Sequence, residues 1–111
     1  MKREYKLYLQ DIRDCIAKIE KYIQGVSEDT FNKNILLQDG VIRRLEIMGG
    51  ASRNIPKSLK EKNKQVSWFT MSQFRDLIAH SYYDISIHRV WNIIKNDIPK
   101  IKEAMKNIVL V

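Results

Sequence analysis

With 111 residues, 44% apolar and 30% charged, the chain has room for one modest core and lies outside the composition of disordered proteins. Its one cysteine excludes an internal disulfide framework, and with only two histidines a cysteine-based zinc cage is excluded too. Twenty Lys and Arg against thirteen Asp and Glu leave a net charge of +7, which suits polyanionic partners such as nucleic acid, although basic loops also serve solubility alone.

The first predicted helix places Tyr5, Leu9, Ile12, Ile16, Ile19 and Ile23 at steps of four and three, one helical face. Tyr8, Cys15 and Tyr22 widen that stripe, and Gly25 is a suitable stop. Asp29 or Thr30 is expected to cap a second helix with Phe31, Ile35, Val41, Ile42, Leu45 and Met48 facing inward. Gly40, Gly49 and Gly50 interrupt it at about 1 kcal/mol each, which suggests close packing at those points.

Pro56 marks a boundary, since it pushes Ile55 out of helical geometry. The stretch from Arg53 to Lys64 then carries Arg53, Lys57, Lys60, Lys62 and Lys64 against Glu61 alone. Here a short helix is expected, with Lys60, Lys62 and Lys64 as candidate RNA-guiding residues. Ser67 should cap a third long helix running to about His80. From Ser86 onward, Ile87, Val90, Trp91, Ile94, Ile98, Ile101, Met105 and Ile108 keep one helical phase, and Pro99 inside it predicts a kink or brief restart.

Strand signals are absent, as are repeats and low-complexity tracts. The expectation is an all-α, up-down bundle of four to five helices forming a single domain over residues 1–111. No apolar run approaches the roughly 20 residues of a membrane helix, and the basic start Met1–Lys6 has no apolar block behind it. No membrane association, no secretory signal and a cytoplasmic location are therefore expected. Trp68 and Trp91 are expected to be core or interface anchors, and His88 to lie on the surface or face a partner.

Chemistry concentrates in Phe74-Arg75-Asp76-Leu77-Ile78-Ala79-His80-Ser81-Tyr82. An always-charged guanidinium suits a phosphate, and an imidazole moves protons near neutral pH. RNA carries its own nucleophile, the 2′-hydroxyl, so a protein need only remove its proton, steady the phosphorane and help the 5′-oxygen leave. His80 is the candidate acid or base and Arg75 the candidate stabiliser of transition-state charge. No metal or other cofactor is expected. Five residues put Arg75 and His80 about 140° apart on an ideal helix, so they converge only if the helix loosens near His80. A structural alternative stays open on spacing alone: Arg75 pairing with Asp76 or Asp84, His80 capping the helix, and Tyr82 filling a core edge.

The run Arg75 to Tyr82 is the R-x-x-x-x-H-x-Y signature, and the chain resembles the HepT-like members of the HEPN superfamily. Asp39–Gly49 is similar to that family's second-helix run, the Trp68 segment to the stretch before the motif, and Val90–Pro99 to its tryptophan-to-proline closing segment. The resemblance implies a metal-independent endoribonuclease acting as the toxin of a two-gene toxin–antitoxin pair. Arg75 and His80 would be catalytic, and Tyr82 would be the tyrosine that a cognate minimal nucleotidyltransferase antitoxin modifies with AMP. It also implies a homodimer with both motifs lining one cleft. Two departures stand out: Gly50 replaces the family's usual glutamate, and Asp76 stands where asparagine is also common. The competing expectation is a non-catalytic helical subunit that binds nucleotide or substrate for its nucleotidyltransferase partner.

Overall fold

The computed structural model describes residues 3–80 and 86–110, except the side chains of residues 79 and 80. Among them every regular element is helical, and the long rods pack as the expected all-α bundle.

Helix α1 (Tyr5–Ile23) buries Leu9, Ile12, Cys15, Ile16 and Ile19, the face its periodicity predicts. Gly25, at φ +72°, takes the left-handed turn after the helix, where a side chain would be strained.

The second predicted helix is in fact two. Ser27, not Asp29 or Thr30, caps α2 (Glu28–Lys33), its hydroxyl accepting from the Thr30 N–H at 3.1 Å. Asn34 then leaves helical geometry and caps α3 (Ile35–Arg53), its side chain accepting from the Leu37 N–H at 3.0 Å. A short amide side chain competes with the helix ladder in this way, so the break falls at Asn34. The buried Gln38 amide donates to the carbonyls of Phe31 at 2.8 Å and Asn32 at 3.1 Å, satisfying the free end of α2. The break turns Ile35 outward, 71% exposed where an inward position was expected, beside Leu36 at 84%. Phe31, Val41, Leu45 and Met48 are buried as expected.

Short helix α4 (Lys57–Lys62) follows Pro56, and α5 (Trp68–His80) begins with the Met71 N–H donating to the Ser67 carbonyl. The last rod opens as α6 (Ile87–Asn92), capped by Ser86, whose hydroxyl accepts from the Arg89 N–H at 3.2 Å. It widens into a π-helical turn over Ile93–Asp97 and continues as α7 (Ile98–Met105). Pro99 supplies no N–H for a regular ladder, and the wider turn absorbs the loss, with Ile98 donating to the Ile93 carbonyl. The stripe of Val90, Trp91, Ile94, Ile98, Ile101 and Met105 stays buried throughout.

Helix α3 lies between α1 and α5, and these two interfaces are the most extensive in the bundle. Helix α2 bridges α3 and α6, where Phe31 meets Trp91 with ring centroids 5.2 Å apart. Among the described residues no helix is long and apolar enough to cross a membrane.

Candidate active site

Helix α5 carries the motif, and two hydrogen bonds fix its start. Trp68 is buried and its indole N–H donates to the Asn63 carbonyl at 3.0 Å. The buried Ser52 hydroxyl of α3 donates to the Trp68 carbonyl at 3.1 Å. Asn63 is fully buried, its amide donating to the carbonyls of Leu59 at 2.9 Å and Val109 at 2.8 Å and its oxygen accepting from the Val109 N–H at 2.7 Å. One asparagine thus ties the end of α4, the chain near Val109 and, through its carbonyl, the start of α5. With Met71 and Phe74 in the core, the register of α5 against α3 is set.

That register brings the two backbones together at Gly49. A Cβ there would stand 2.8 Å from both the Cβ and the backbone nitrogen of Arg75, and 3.0 Å from the Met71 carbonyl oxygen. Close packing therefore explains this mid-helix glycine, as the sequence suggests. Gly40 differs: a Cβ there would meet the Tyr22 ring at an ordinary 3.5 Å. A Cβ at Gly50 would lie 3.7 Å from the Arg75 Nη1, so the carboxylate that the resemblance leads one to expect at this position would project toward the guanidinium.

Arg75 is exposed, and among the described residues its guanidinium enters no ion pair or hydrogen bond. Asp76 forms an ion pair with Arg53 at 2.6 Å, and Arg53 also donates to the Ser72 carbonyl at 3.0 Å. Arg53, grouped by the sequence with the basic stretch, is thus a clasp between α3 and α5. The pairing of Arg75 with Asp76 considered from spacing is not the ion pair formed. This contact was not legible, because nothing in the sequence distinguishes Arg53 from its basic neighbours.

Helix α5 stays regular through His80, so positions 75 and 80 lie about 140° apart around its axis. The loosening required for convergence does not occur before His80. The His80 side chain, Tyr82 and Asp84 lie outside the described residues.

The basic stretch divides. Lys60 is half-buried, and burial lowers its pKa; Lys62 and Lys64 are exposed. Lys60 and Lys64 share one groove with the first turn of α5, and Lys62 is not part of its lining. His88 is exposed as expected, its Nδ1 3.3 Å from Glu28 of α2 and its Nε2 3.3 Å from the Asn92 amide. Among the described residues no group of three or more His, Cys, Asp or Glu is placed to hold a metal ion.

Among the described residues, fold and motif together define a small helical protein that presents an exposed guanidinium, without an ion pair, at the seam of two closely packed helices, five residues before a histidine. Residues 12–108 match the model of the ribonuclease HepT-like family, and the chain belongs to that family. It is 37% identical over 108 residues to a Thermococcus cleftensis protein named "Probable ribonuclease HepT", covering 97% of this chain and 98% of that one. It is also 37% identical over 108 residues to a Methanocaldococcus jannaschii protein named as a gamma-glutamylcyclotransferase and candidate RNase. That match covers 97% of this chain but spans only about half, 49%, of the longer relative. A Caldanaerobacter subterraneus protein named as a candidate RNase is 33% identical, with 91% of this chain and 90% of that one covered. No solved structure gives a significant match.

Proposed function

We propose that this protein is a metal-independent endoribonuclease, with Arg75 and His80 as its catalytic pair and RNA as its substrate. The observation that carries the reading is the exposed Arg75 guanidinium, held against Gly49 and without an ion pair among the described residues, in a chain of the ribonuclease HepT-like family. Arg75 gives two hydrogen bonds to the non-bridging oxygens of the scissile phosphate and stabilises charge that builds in the phosphorane. His80 takes the 2′-hydroxyl proton, and an imidazolium returns a proton to the leaving 5′-oxygen. The products are a 2′,3′-cyclic phosphate and a 5′-hydroxyl.

The family resemblance adds a homodimer to this reading, and the divergence of positions 75 and 80 around a regular helix is compatible with it. Two copies supply two Arg75 and two His80 to one cleft, so that base and acid come from different chains.

The proposed setting is a toxin–antitoxin pair in the cytoplasm, with a minimal nucleotidyltransferase as antitoxin. AMP added at Tyr82 would place bulky negative charge within the motif and repel an RNA phosphate from Arg75. Two measurements test this reading: end-group analysis of RNA cut in EDTA, and intact mass after co-expression with a minimal nucleotidyltransferase encoded beside this chain's gene. Cyclic phosphate ends and mass additions of AMP are expected. Cuts bearing 3′-hydroxyl ends, or an unchanged mass, would contradict the corresponding part.

A second reading is favoured by the regularity of α5. If His80 never joins Arg75, the protein is a non-catalytic subunit that grips a nucleotide phosphate for its nucleotidyltransferase partner. In that case RNA stays intact in EDTA while nucleotide binding still depends on Arg75.

A further inference from the structure

At the corner of α4 and α5 an open groove of about 580 Å³ is lined by Lys60, Lys64, Ser67, Trp68, Phe69 and Ser72, among others. Among its described lining residues none is acidic. Trp68 is turned into the core, but its neighbour Phe69 is 74% exposed and has no core role. A bare aromatic ring beside two ammonium groups is the combination that single-stranded nucleic acid recognises, with ring against base and cation against phosphate. Burial lowers the Lys60 pKa, so this ammonium is partly stripped of water and well placed to gain from an anion.

The groove also leads toward the candidate active site. Phe69, Ser72 and Arg75 follow one another in steps of three, a surface ridge along α5, and none of the three is buried. Six residues of helix rise about 9 Å and turn through a net of about 120°, so a strand that crosses the ridge obliquely, winding partly round α5, runs from Phe69 to Arg75. Between them the Ser72 hydroxyl donates to the Phe69 carbonyl at 2.8 Å, and the Ser72 carbonyl accepts from Arg53, whose charge is paired with Asp76.

We infer that this groove is a stacking subsite for single-stranded RNA, in which Phe69 takes the face of an unpaired base and Lys60 and Lys64 take flanking phosphates on the strand that reaches Arg75. The identity of the polyanion rests on the ribonuclease reading; the stacking geometry does not. A base inside a duplex offers no free face to the ring, so the subsite selects unpaired RNA.

The test is fluorescence anisotropy of a 12-nucleotide, 2′-O-methylated and therefore uncleavable single strand. The wild type is compared with Phe69→Ala, Phe69→Leu and Phe69→Trp, with sedimentation of each variant in parallel. The exposed position lets each fold, which a thermal melt verifies. About tenfold or greater weakening is expected for Ala and Leu, near-wild-type binding for Trp, and little change for a duplex of the same sequence. Leu binding as tightly as Phe would overturn the subsite, because apolar area without a π face would then suffice. Weakening that accompanies a change of oligomeric state would also overturn it, assigning Phe69 to contact with a second copy. His80→Ala on cleavable RNA separates the two readings. If it cuts normally while Phe69→Ala binds poorly, the subsite stands and the assignment of His80 as a catalytic residue falls. If cutting needs His80 while Phe69→Leu binds normally, only the subsite falls.

Discussion

Gly49 and Arg75 meet backbone to backbone: a methyl group on Gly49 would lie 2.8 Å from the Arg75 nitrogen and Cβ, closer than packed atoms tolerate. The residue proposed to hold the scissile phosphate is therefore set by the one next to it in space, on another helix. Gly49→Ala must push α3 and α5 apart, at a cost of about 1–3 kcal/mol. Gly40→Ala, whose methyl meets only the Tyr22 ring at 3.5 Å, should be neutral or gain up to about 1 kcal/mol of helix propensity. Urea denaturation of the pair checks this; equal effects would refute the close approach at Gly49.

Gly50→Glu should lay a carboxylate against the Arg75 guanidinium, since the new side chain starts 3.7 Å from Nη1. If Arg75 otherwise binds a phosphate, the slope of log K against log salt for single-stranded RNA should flatten by about 0.7, one phosphate contact. An unchanged slope would show that Arg75 does not contact phosphate.

Removing the Arg53–Asp76 clasp should cost little stability, about 0.5–1 kcal/mol, because both partners are exposed. Arg53→Ala loses the bond to the Ser72 carbonyl as well as the ion pair. Thermal melts of Arg53→Ala and Asp76→Ala rank them.

Asn63→Ala should be far more damaging, by about 2–4 kcal/mol. It deletes three hydrogen bonds around a fully buried side chain and frees polar backbone at Leu59 and Val109. Chemical denaturation with Trp68 fluorescence reports both the stability loss and the loosened start of α5.

Burial raises the pKa of the Cys15 thiol. The unfolded chain then ionises first, so this thiol's contribution to stability is present below the ordinary thiol range and is lost as pH rises through the higher folded value. Between pH 7 and 10 the wild type should lose stability more steeply than Cys15→Ala, and thiol reagents should label Cys15 only on unfolding. Parallel pH profiles would contradict the shift.

The stripes of α1 and of the last rod were legible because each repeats over five turns, and a strong period survives even Pro99. Helix α2 was not, since its boundary rests on which of Ser27, Asp29 and Thr30 turns its oxygen inward. Nor was the break at Asn34, where a side chain outcompetes the helix ladder and leaves Ile35 in water. At the candidate site the motif named Arg75 and His80 at once. Spacing could not foresee that Asp76 would pair with Arg53 across 23 positions of sequence, nor that Phe69 would stand bare beside Lys60 and Lys64. Such contacts depend on how α3, α4 and α5 are packed, which no local pattern encodes.

The most direct measurement is single-turnover cleavage of a single-stranded RNA in EDTA by wild type, Arg75→Ala and His80→Ala, with binding measured alongside. Losses of at least about a hundredfold in rate are expected for both variants, with His80→Ala still binding RNA. Wild-type rates in either variant would contradict the proposed catalytic pair.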